Sequence, residues 1–231
     1  MIDWHCHILP GMDDGSRDTD ESLALMQMLG GQGVDTVIAT PHFYANDESV
    51  ADFVSRRQEA YETLCPFLSE SLPNLLLGAE VRYYPGIGKL SEPDQLCIGN
   101  SRLLLLEMPM EKRTEYTVRE LVEMANARRL RLILAHIERY LPLQNSETWN
   151  RLYSADIMMQ VNASYFVELS TRRKAFSLFK NGGIQLIGSD SHGLKHRPPR
   201  LGKAYDLLRK KFGDEFVTQF TEYGDFLLET I

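Results

Sequence analysis

Cysteine is scarce in this chain. Cys6, Cys65 and Cys97 are odd in number and form no CxxC pair, which excludes a disulfide framework and a cysteine-built zinc site and reads as reduced intracellular thiols. The Cys-x5-Arg loop of cysteine-dependent phosphatases is missing as well: the positions that would need arginine hold Met12, Ser71 and Leu103. There is no Gly-rich phosphate cradle of the P-loop kind. No apolar run approaches the roughly 18 residues of a membrane span. The opening Met-Ile-Asp-Trp-His-Cys-His has no basic segment followed by an apolar one, so neither membrane insertion nor a secretory leader is expected, and the location is read as cytoplasmic. Positive charge is in the minority. Lys+Arg 25 against Asp+Glu 32 leaves −7, a field that repels polyphosphates and argues against nucleic acid or anionic membrane as a partner unless something local reverses it. Linkers of Ser and Gly, repeats and low-complexity segments are also missing, so a single domain over 1–231 is expected. A chain of this length can bury one sizeable core without staples.

What is present is alternation. Short apolar runs at 1–4, 34–39, 75–79, 103–107, 132–135, 157–161 and 184–187 read as seven strands. Between them, stretches at 20–31, 50–71, 117–129, 147–154 and 171–181 carry apolar residues at helical spacing, and two more helix-like stretches, one at 203–212, follow Arg200. Asp18 or Thr19 can cap the first helix, and Gly30, Gly31 and Gly33 stand where it should end. The Pro/Gly clusters at 85–88 and 197–200 read as loops. Strand then helix, repeated, predicts an α/β protein with a parallel sheet, either open and doubly wound or closed. An eight-unit barrel takes about 250 residues, so seven units in 231 residues predict a smaller barrel.

The histidines follow this pattern. His5, His7, His42, His136 and His192 each fall at or just beyond the C-terminal end of a predicted strand, as do Glu80, Glu107 and Asp190. That end is where parallel α/β folds build their sites. His5 and His7 are two apart, so the period of a strand puts both rings on one side, where they can share a divalent ion. Asp13 and Asp14, in Gly-Met-Asp-Asp-Gly, can each be a ligand or a turn residue, and spacing does not choose between them. Glu80 and Glu107 end buried runs, where a carboxylate is costly unless it is metal-bound or paired, for instance with Arg82 or Arg139. His136 could be a capped core histidine, and Asp190 a helix N-cap with His192 a bystander, while His196 reads as a loop residue or an outer donor rather than a ligand. One polynuclear metal site accounts for all these positions together, whereas the alternatives must hold separately at each. Imidazole with carboxylate and no thiolate suits manganese, zinc or ferrous iron.

The motifs resemble a known family. His-Cys-His-Ile-Leu-Pro-Gly-Met-Asp-Asp-Gly (5–15), Ala-Thr-Pro-His (39–42), Gly-Ala-Glu (78–80), Leu-Leu-Glu (105–107), Ala-His-Ile-Glu-Arg-Tyr (135–140) and Ser-Asp-Ser-His-Gly-Leu-Lys-His-Arg-Pro-Pro (189–199) occur in the order found in the polymerase and histidinol phosphatase (PHP) superfamily. Within it, the sequence is similar to the bacterial capsule and exopolysaccharide tyrosine phosphatases of the CpsB/YwqE type, over almost its whole length. The resemblance implies a distorted (β/α)7 barrel with outer helices and a centre of three divalent ions, with manganese expected and iron or zinc as alternatives. It implies one ion on His5, His7, Glu80 and Asp190, with Glu80 bridging to a second held by Glu107 and His136. Asp14 rather than Asp13, with His42 and His192, would hold the third. Arg139 and Arg197 would bind the substrate phosphate, and glutamate at 107 is the tyrosine phosphatase pattern where many PHP proteins have histidine.

On that resemblance the chemistry is phosphotyrosine hydrolysis by a metal-bound hydroxide, and the substrate a tyrosine autokinase controlling polysaccharide assembly. Three divalent ions would take the net charge from −7 to about −1, which is the local reversal the acidic chain requires. Tyr83, Tyr84, Tyr140, Tyr165 and Phe43 lie near motif loops and could pack against a phosphotyrosine ring or simply belong to the core. Other readings are a phosphatase for a small phosphomonoester such as histidinol phosphate, a phosphodiesterase, and a metal-dependent regulatory module without turnover. The basic clusters at 172–174 and 209–211 read as solvated helix faces.

Overall fold

A computed structural model describes residues 1–127 and 130–229. In chain order the elements are β1 (Ile2–Cys6), α1 (Thr19–Gly30), β2 (Thr36–Ala39), β3 (His42–Phe43), α2 (Val50–Leu64), β4 (Asn74–Leu77), β5 (Glu80–Arg82), β6 (Leu103–Glu107) and α3 (Glu115–Ala127). They continue as β7 (Arg131–Leu134), α4 (Ser146–Ser154), β8 (Met158–Asn162), α5 (Ala163–Val167), α6 (Leu169–Lys180), β9 (Leu186–Gly188), α7 (Leu201–Phe212) and α8 (Asp214–Glu229).

Every strand pairing is parallel. One ladder runs β1-β2-β4 and the other β3-β5-β6-β7-β8-β9. The two are parts of one curled sheet, because β2 continues into β3 past Thr40–Pro41 and β4 into β5 past Gly78–Ala79. Bonds from the Gly78 N–H to the Ala39 carbonyl (2.8 Å) and from the Glu80 N–H to the Pro41 carbonyl (2.9 Å) carry the pairing across the bend. At the other edge β9 leads back to β1: Cys6 and Ser191 form a parallel bridge, and the Asp190 N–H donates to the His5 carbonyl at 2.8 Å. The expected seven units thus make a distorted α/β barrel.

Several boundaries differ from the sequence reading. The stretch 50–71 is not one helix: α2 ends at Leu64 and a 3-10 turn follows at Cys65–Phe67, because Pro66 has no amide hydrogen to continue the ladder. The short helix α5 was not anticipated. Asp18, not Thr19, caps α1, its carboxylate accepting from the Glu21 N–H at 2.9 Å. Of the stretch 117–129, Arg128 and Arg129 lie outside the described residues.

The two-residue period of the strands sorts the apolar residues into two clusters. Leu104, Leu106, Leu132, Leu134, Met159, Val161 and Ile187 face the helices, in the larger cluster. Leu103, Leu105, Ile133, Ala135, Met158 and Leu186 form the smaller one inside the barrel, with Ile2, Trp4, Ile38 and Leu227 of α8. Followed along the inward side, several strands end on polar residues: Leu105 leads to Glu107, Met158 to Gln160 and Asn162, Ile38 to Thr40 and His42, Leu76 past Gly78 to Glu80. The site is therefore the upper end of the barrel interior, placed there by strand parity.

Candidate metal centre

β1 needs a correction to obey that parity, since Ile2 and Trp4 point inward and His5 and His7 are of the opposite parity. The register shift between Asp3 and Cys6 supplies it, turning both histidines to the inside. The His5 ring fits because residue 188 is glycine: a Cβ there would lie 2.5 Å from the Cβ of His5. His136 and Asp190 reach the same space through backbone turns, with φ of 32° and 50°. Arg197 has φ 49°, and its carbonyl accepts from the His192 N–H at 3.2 Å, which closes the loop that carries the guanidinium. Left-handed backbone at three non-glycine residues costs of order 1–3 kcal/mol each, and here it aims three side chains at one place.

All nine predicted ligand positions come together. Glu80 is the hub: its Oε2 lies 2.9 Å from His42 Nδ1, 3.2 Å from His5 Nε2 and 3.3 Å from His7 Nε2, while its Oε1 is 2.8 Å from His136 Nε2. His192 Nε2 is 3.2 Å from Asp14 Oδ1, and His136 Nε2 is 3.7 Å from Glu107 Oε1. Donor atoms fall into three overlapping groups, His5–His7–Asp190, His7–Asp14–His42–His192 and His42–Glu80–Glu107, each within 4.8 Å. His136 stands beside the third group.

These contacts are not an ordinary hydrogen-bond network. Glu80 Oε2, His42 Nδ1 and His192 Nε2 are buried without a hydrogen-bond partner, although other heteroatoms lie within 3.3 Å. His5 Nε2 and His7 Nε2 face each other at 3.1 Å. Donors about 2.1 Å from a shared ion stand about 3.0–3.4 Å apart at octahedral or tetrahedral angles. The cluster matches that spacing, so its residues fit divalent ions. Cys6 does not take part: its thiol is buried, lies 4.0 Å from the Ser191 carbonyl, and is pushed up by burial.

Ionisation follows from the packing. Burial opposes charge on Glu80, but His5, His136 and His42 outweigh it and hold the carboxyl well below the usual range. Burial likewise opposes charge on Asp190, yet His5, His7 and Arg139 hold it at about 2. Burial opposes charge on His7, but its hydrogen bond to Asp13 and the negative charges of Asp13 and Glu80 outweigh that and push it up to about 10. His192 is pushed down to about 4, first by burial and then by the charge of His7.

The sequence missed the residues behind the cluster. Asp13, left as a turn alternative, accepts from the His7 ring Nδ1 at 2.8 Å and from the backbone N–H groups of Gly15 (2.9 Å) and His42 (2.9 Å). It therefore orients the ring whose other nitrogen faces the site. Gln160 accepts from the His136 N–H at 2.6 Å and lies 3.3 Å from His5 Nδ1, and Asn162 donates to Asp190 at 2.8 Å. Alternation in Met-Met-Gln-Val-Asn was the available signal, since it puts both amides on the inward face of a buried strand.

Both arginines reach the cluster. Arg139 pairs with Asp190, and Arg197 lies 3.3 Å from Asp190 Oδ1 and 3.3 Å from Asp14 Oδ2. They line a cavity of about 550 Å³ together with Glu138 and Tyr165. Burial pushes the Glu138 carboxyl up to about 8. The salt-bridge alternative also holds in part, since Arg82 binds Glu107 Oε2 at 2.7 Å while Oε1 faces His136. Of the aromatic residues, Phe43 and Tyr140 are core, Tyr83 donates to Glu120 at 2.8 Å, and Tyr84 packs on the core edge. Tyr165 alone of that set lines the cavity. Tyr44, not singled out before, stacks on His42 with ring centroids 5.5 Å apart. His196 is an exposed loop residue, as expected.

Fold and site together define a parallel α/β barrel with a histidine–carboxylate cluster at its C-terminal mouth, fitted to divalent cations. Residues 1–224 match the family described as capsular polysaccharide synthesis, CpsB/CapC, and the chain belongs to that family. It is 29% identical to the tyrosine-protein phosphatase YwqE of Bacillus subtilis (99% of this chain, 91% of that one) and 31% identical to the tyrosine-protein phosphatase CpsB of Streptococcus pneumoniae (92% and 91%). A crystal structure reported for YwqE and CpsB, unique metal-dependent tyrosine phosphatases, superposes with a TM-score of 0.84 at 25% identity, over 99% of this chain and 94% of that one. No helix among the described residues is long and apolar enough to cross a membrane.

Proposed function

We propose that this protein is a metal-dependent protein-tyrosine phosphatase, not cysteine-based, that hydrolyses phosphotyrosine on a bacterial tyrosine autokinase controlling capsule or exopolysaccharide assembly in the cytoplasm. The observation that carries this reading is the convergence of hydrogen-bond-orphaned His42, His192 and Glu80 atoms beside two guanidinium groups. Relatives named tyrosine-protein phosphatases, matched along nearly their whole length, support it.

His5, His7, Glu80 and Asp190 would hold one divalent ion; Glu80 would bridge to a second with Glu107 and His136; Asp14, His42 and His192 would hold a third. The family resemblance points to manganese, with iron or zinc as alternatives; a nitrogen-and-oxygen donor set suits all three. When bound, such ions supply Lewis acidity and an activated water at neutral pH. The chain's own groups do the rest. Asp13 and Gln160 fix the rings of His7 and His5. Arg139 and Arg197 present planar forks to the phosphoryl oxygens, which take the place of the Asp190 and Asp14 oxygens they now touch. A tyrosine oxygen with a pKa near 10 leaves with little help from a proton donor, and no side chain is assigned that role.

The test is phosphate release from a phosphotyrosine peptide and from histidinol phosphate, with manganese and with chelator. The expected result is chelator-sensitive release that favours the peptide at least about tenfold in kcat/KM. The reverse preference would replace the substrate with a small phosphomonoester. Release from neither would overturn the phosphatase reading in favour of a diesterase or a regulatory module.

A further inference from the structure

The 550 Å³ cavity at Arg139 and Arg197 does not end there. It shares Glu138, Tyr165 and Thr171 with a second depression of about 500 Å³ that runs on to Leu141, Pro142, Lys174 and Leu178. On its other side it shares Lys195, His196 and Arg197 with a third, of about 520 Å³, that reaches Arg17 and Leu194. The three form one track with the phosphate position in the middle. A small phosphomonoester would need only the middle section, since ligand pockets of about 300–1,000 Å³ enclose whole small molecules. The buried cluster beneath it, with His5 and His7 at 0% exposure, is reached by a side chain that projects from a flexible segment rather than by a folded surface.

The charge along the track is uneven. Glu168 is occupied by Arg200 at 2.7 Å and Glu21 by Arg17 at 2.9 Å. Lys174 on one arm and Lys195 on the other are exposed, and no ion pair engages either of them among the described residues. A chain of net charge −7 thus places one uncompensated ammonium group on an arm of the track and another where the middle section meets the opposite arm. Beside Lys174 this arm is lined by the apolar Leu141, Pro142, Tyr165 and Leu178 together with uncharged polar residues such as Ser170 and Ser177. The neighbouring Leu169, at the start of α6, is 82% exposed.

We infer that this track binds the polypeptide on both sides of the phosphotyrosine, as an extended acidic segment whose carboxylates meet Lys174 and Lys195 and whose apolar side chain rests on Leu141, Tyr165 and Leu178. The inference rests on the phosphotyrosine reading above and adds to it the chemistry of the flanking sequence. Opposite charges set along a groove govern partner choice more than they add raw affinity, so the effect belongs in the comparison between peptides. Of the basic cluster at 172–174, Lys174 then serves the substrate, while Arg172 serves the fold by donating to the Phe166 and Val167 carbonyls at 2.9 and 2.5 Å.

The experiment compares two nine-residue peptides with manganese-loaded protein. One has leucine and then glutamate on each side of the phosphotyrosine, the other serine and then glutamine; p-nitrophenyl phosphate reports the chemistry without flanks. The acidic peptide is expected to have a kcat/KM about tenfold higher, chiefly through KM. Lys174→Glu should bring the two peptides to within about twofold of each other. Lys210→Glu, the same charge change on an exposed position of α7, should preserve the difference. Equal kcat/KM for the two peptides in the unaltered protein overturns the inference, as does an equal response to Lys174→Glu and Lys210→Glu. If p-nitrophenyl phosphate is turned over and neither peptide is, the phosphotyrosine reading falls and this inference falls with it.

Discussion

Glu80→Gln is expected to lower kcat/KM on a phosphotyrosine peptide at least about 10³-fold and to reduce the bound metal, because losing a residue that merely orients a ligand already costs about 10- to 100-fold. Glu80 does more than orient. Its two oxygens lie within 3.3 Å of nitrogens from His5, His7, His42 and His136, which come from β1, β3 and the turn after β7. Glutamine keeps the shape but gives up the charge and turns one acceptor into a donor, directed at nitrogens that also need an acceptor or an ion. Leaving buried charge uncompensated costs about 3–5 kcal/mol, so the variant should also melt at a lower temperature, and circular dichroism separates loss of fold from loss of metal. Retention of both metal and activity would mean that the Glu80 carboxylate holds no ion.

Arg139→Ala should act on a different quantity. Its guanidinium pairs with Asp190 at the cavity wall but belongs to none of the donor groups, so metal content should be kept. The rate should fall by about 10²–10³, the usual effect of removing one fixed donor that stabilises developing charge. Arg139→Lys should recover only part of this, since an ammonium restores the charge but not the planar fork. Elemental analysis beside kinetics distinguishes the two outcomes, and metal loss in Arg139→Ala would make the residue structural.

The ion-free protein should respond to pH in a defined direction. His7 is held protonated by Asp13 and Glu80, with its pKa pushed up to about 10. That stabilisation is complete below about 6.5, the ordinary histidine value, and is lost as pH rises through 10. Glu138, pushed up by burial to about 8, binds its proton more tightly in the fold and changes stability with the same sign over this range, whereas Asp3, pushed up to about 6, does so only at lower pH. The melting temperature of chelated protein should therefore fall between pH 6 and about 9. An ion must displace the His7 proton, so metal affinity should rise over the same range. A flat or rising melting curve would contradict the protonation argued here.

Strand ends were legible because apolar runs give way there to ligating residues. All seven predicted strands occur, and period alone accounts for the inward place of Glu107 and for His5 and His7 sharing one side. What period could not supply lies at irregular backbone. His42 and Glu80 stand on the two short strands β3 and β5, which exist because the chain bends at Pro41 and Gly78; the apolar runs at 34–39 and 75–79 carry no sign of that bend. The register shift in β1 that turns His5 inward has no local signature, and neither does the left-handed backbone at His136, Asp190 and Arg197. Asp13 and Asp14 are chemically alike in sequence. Spacing does not separate them, whereas in space Asp13 faces the His7 ring and backbone amides and Asp14 faces His42 and His192, in line with the family pattern.

Phosphotyrosine hydrolysis should depend on ions held by the one cluster of nine side chains. The decisive measurement strips the purified protein with chelator and titrates manganese back, while bound metal and phosphate release from a phosphotyrosine peptide are followed in the same samples. No release is expected from the stripped protein, and the full rate should return as the third ion per chain is taken up. Full activity in the stripped protein, or a recovery complete at a single ion, would mean that the nine side chains do not work as one three-ion centre.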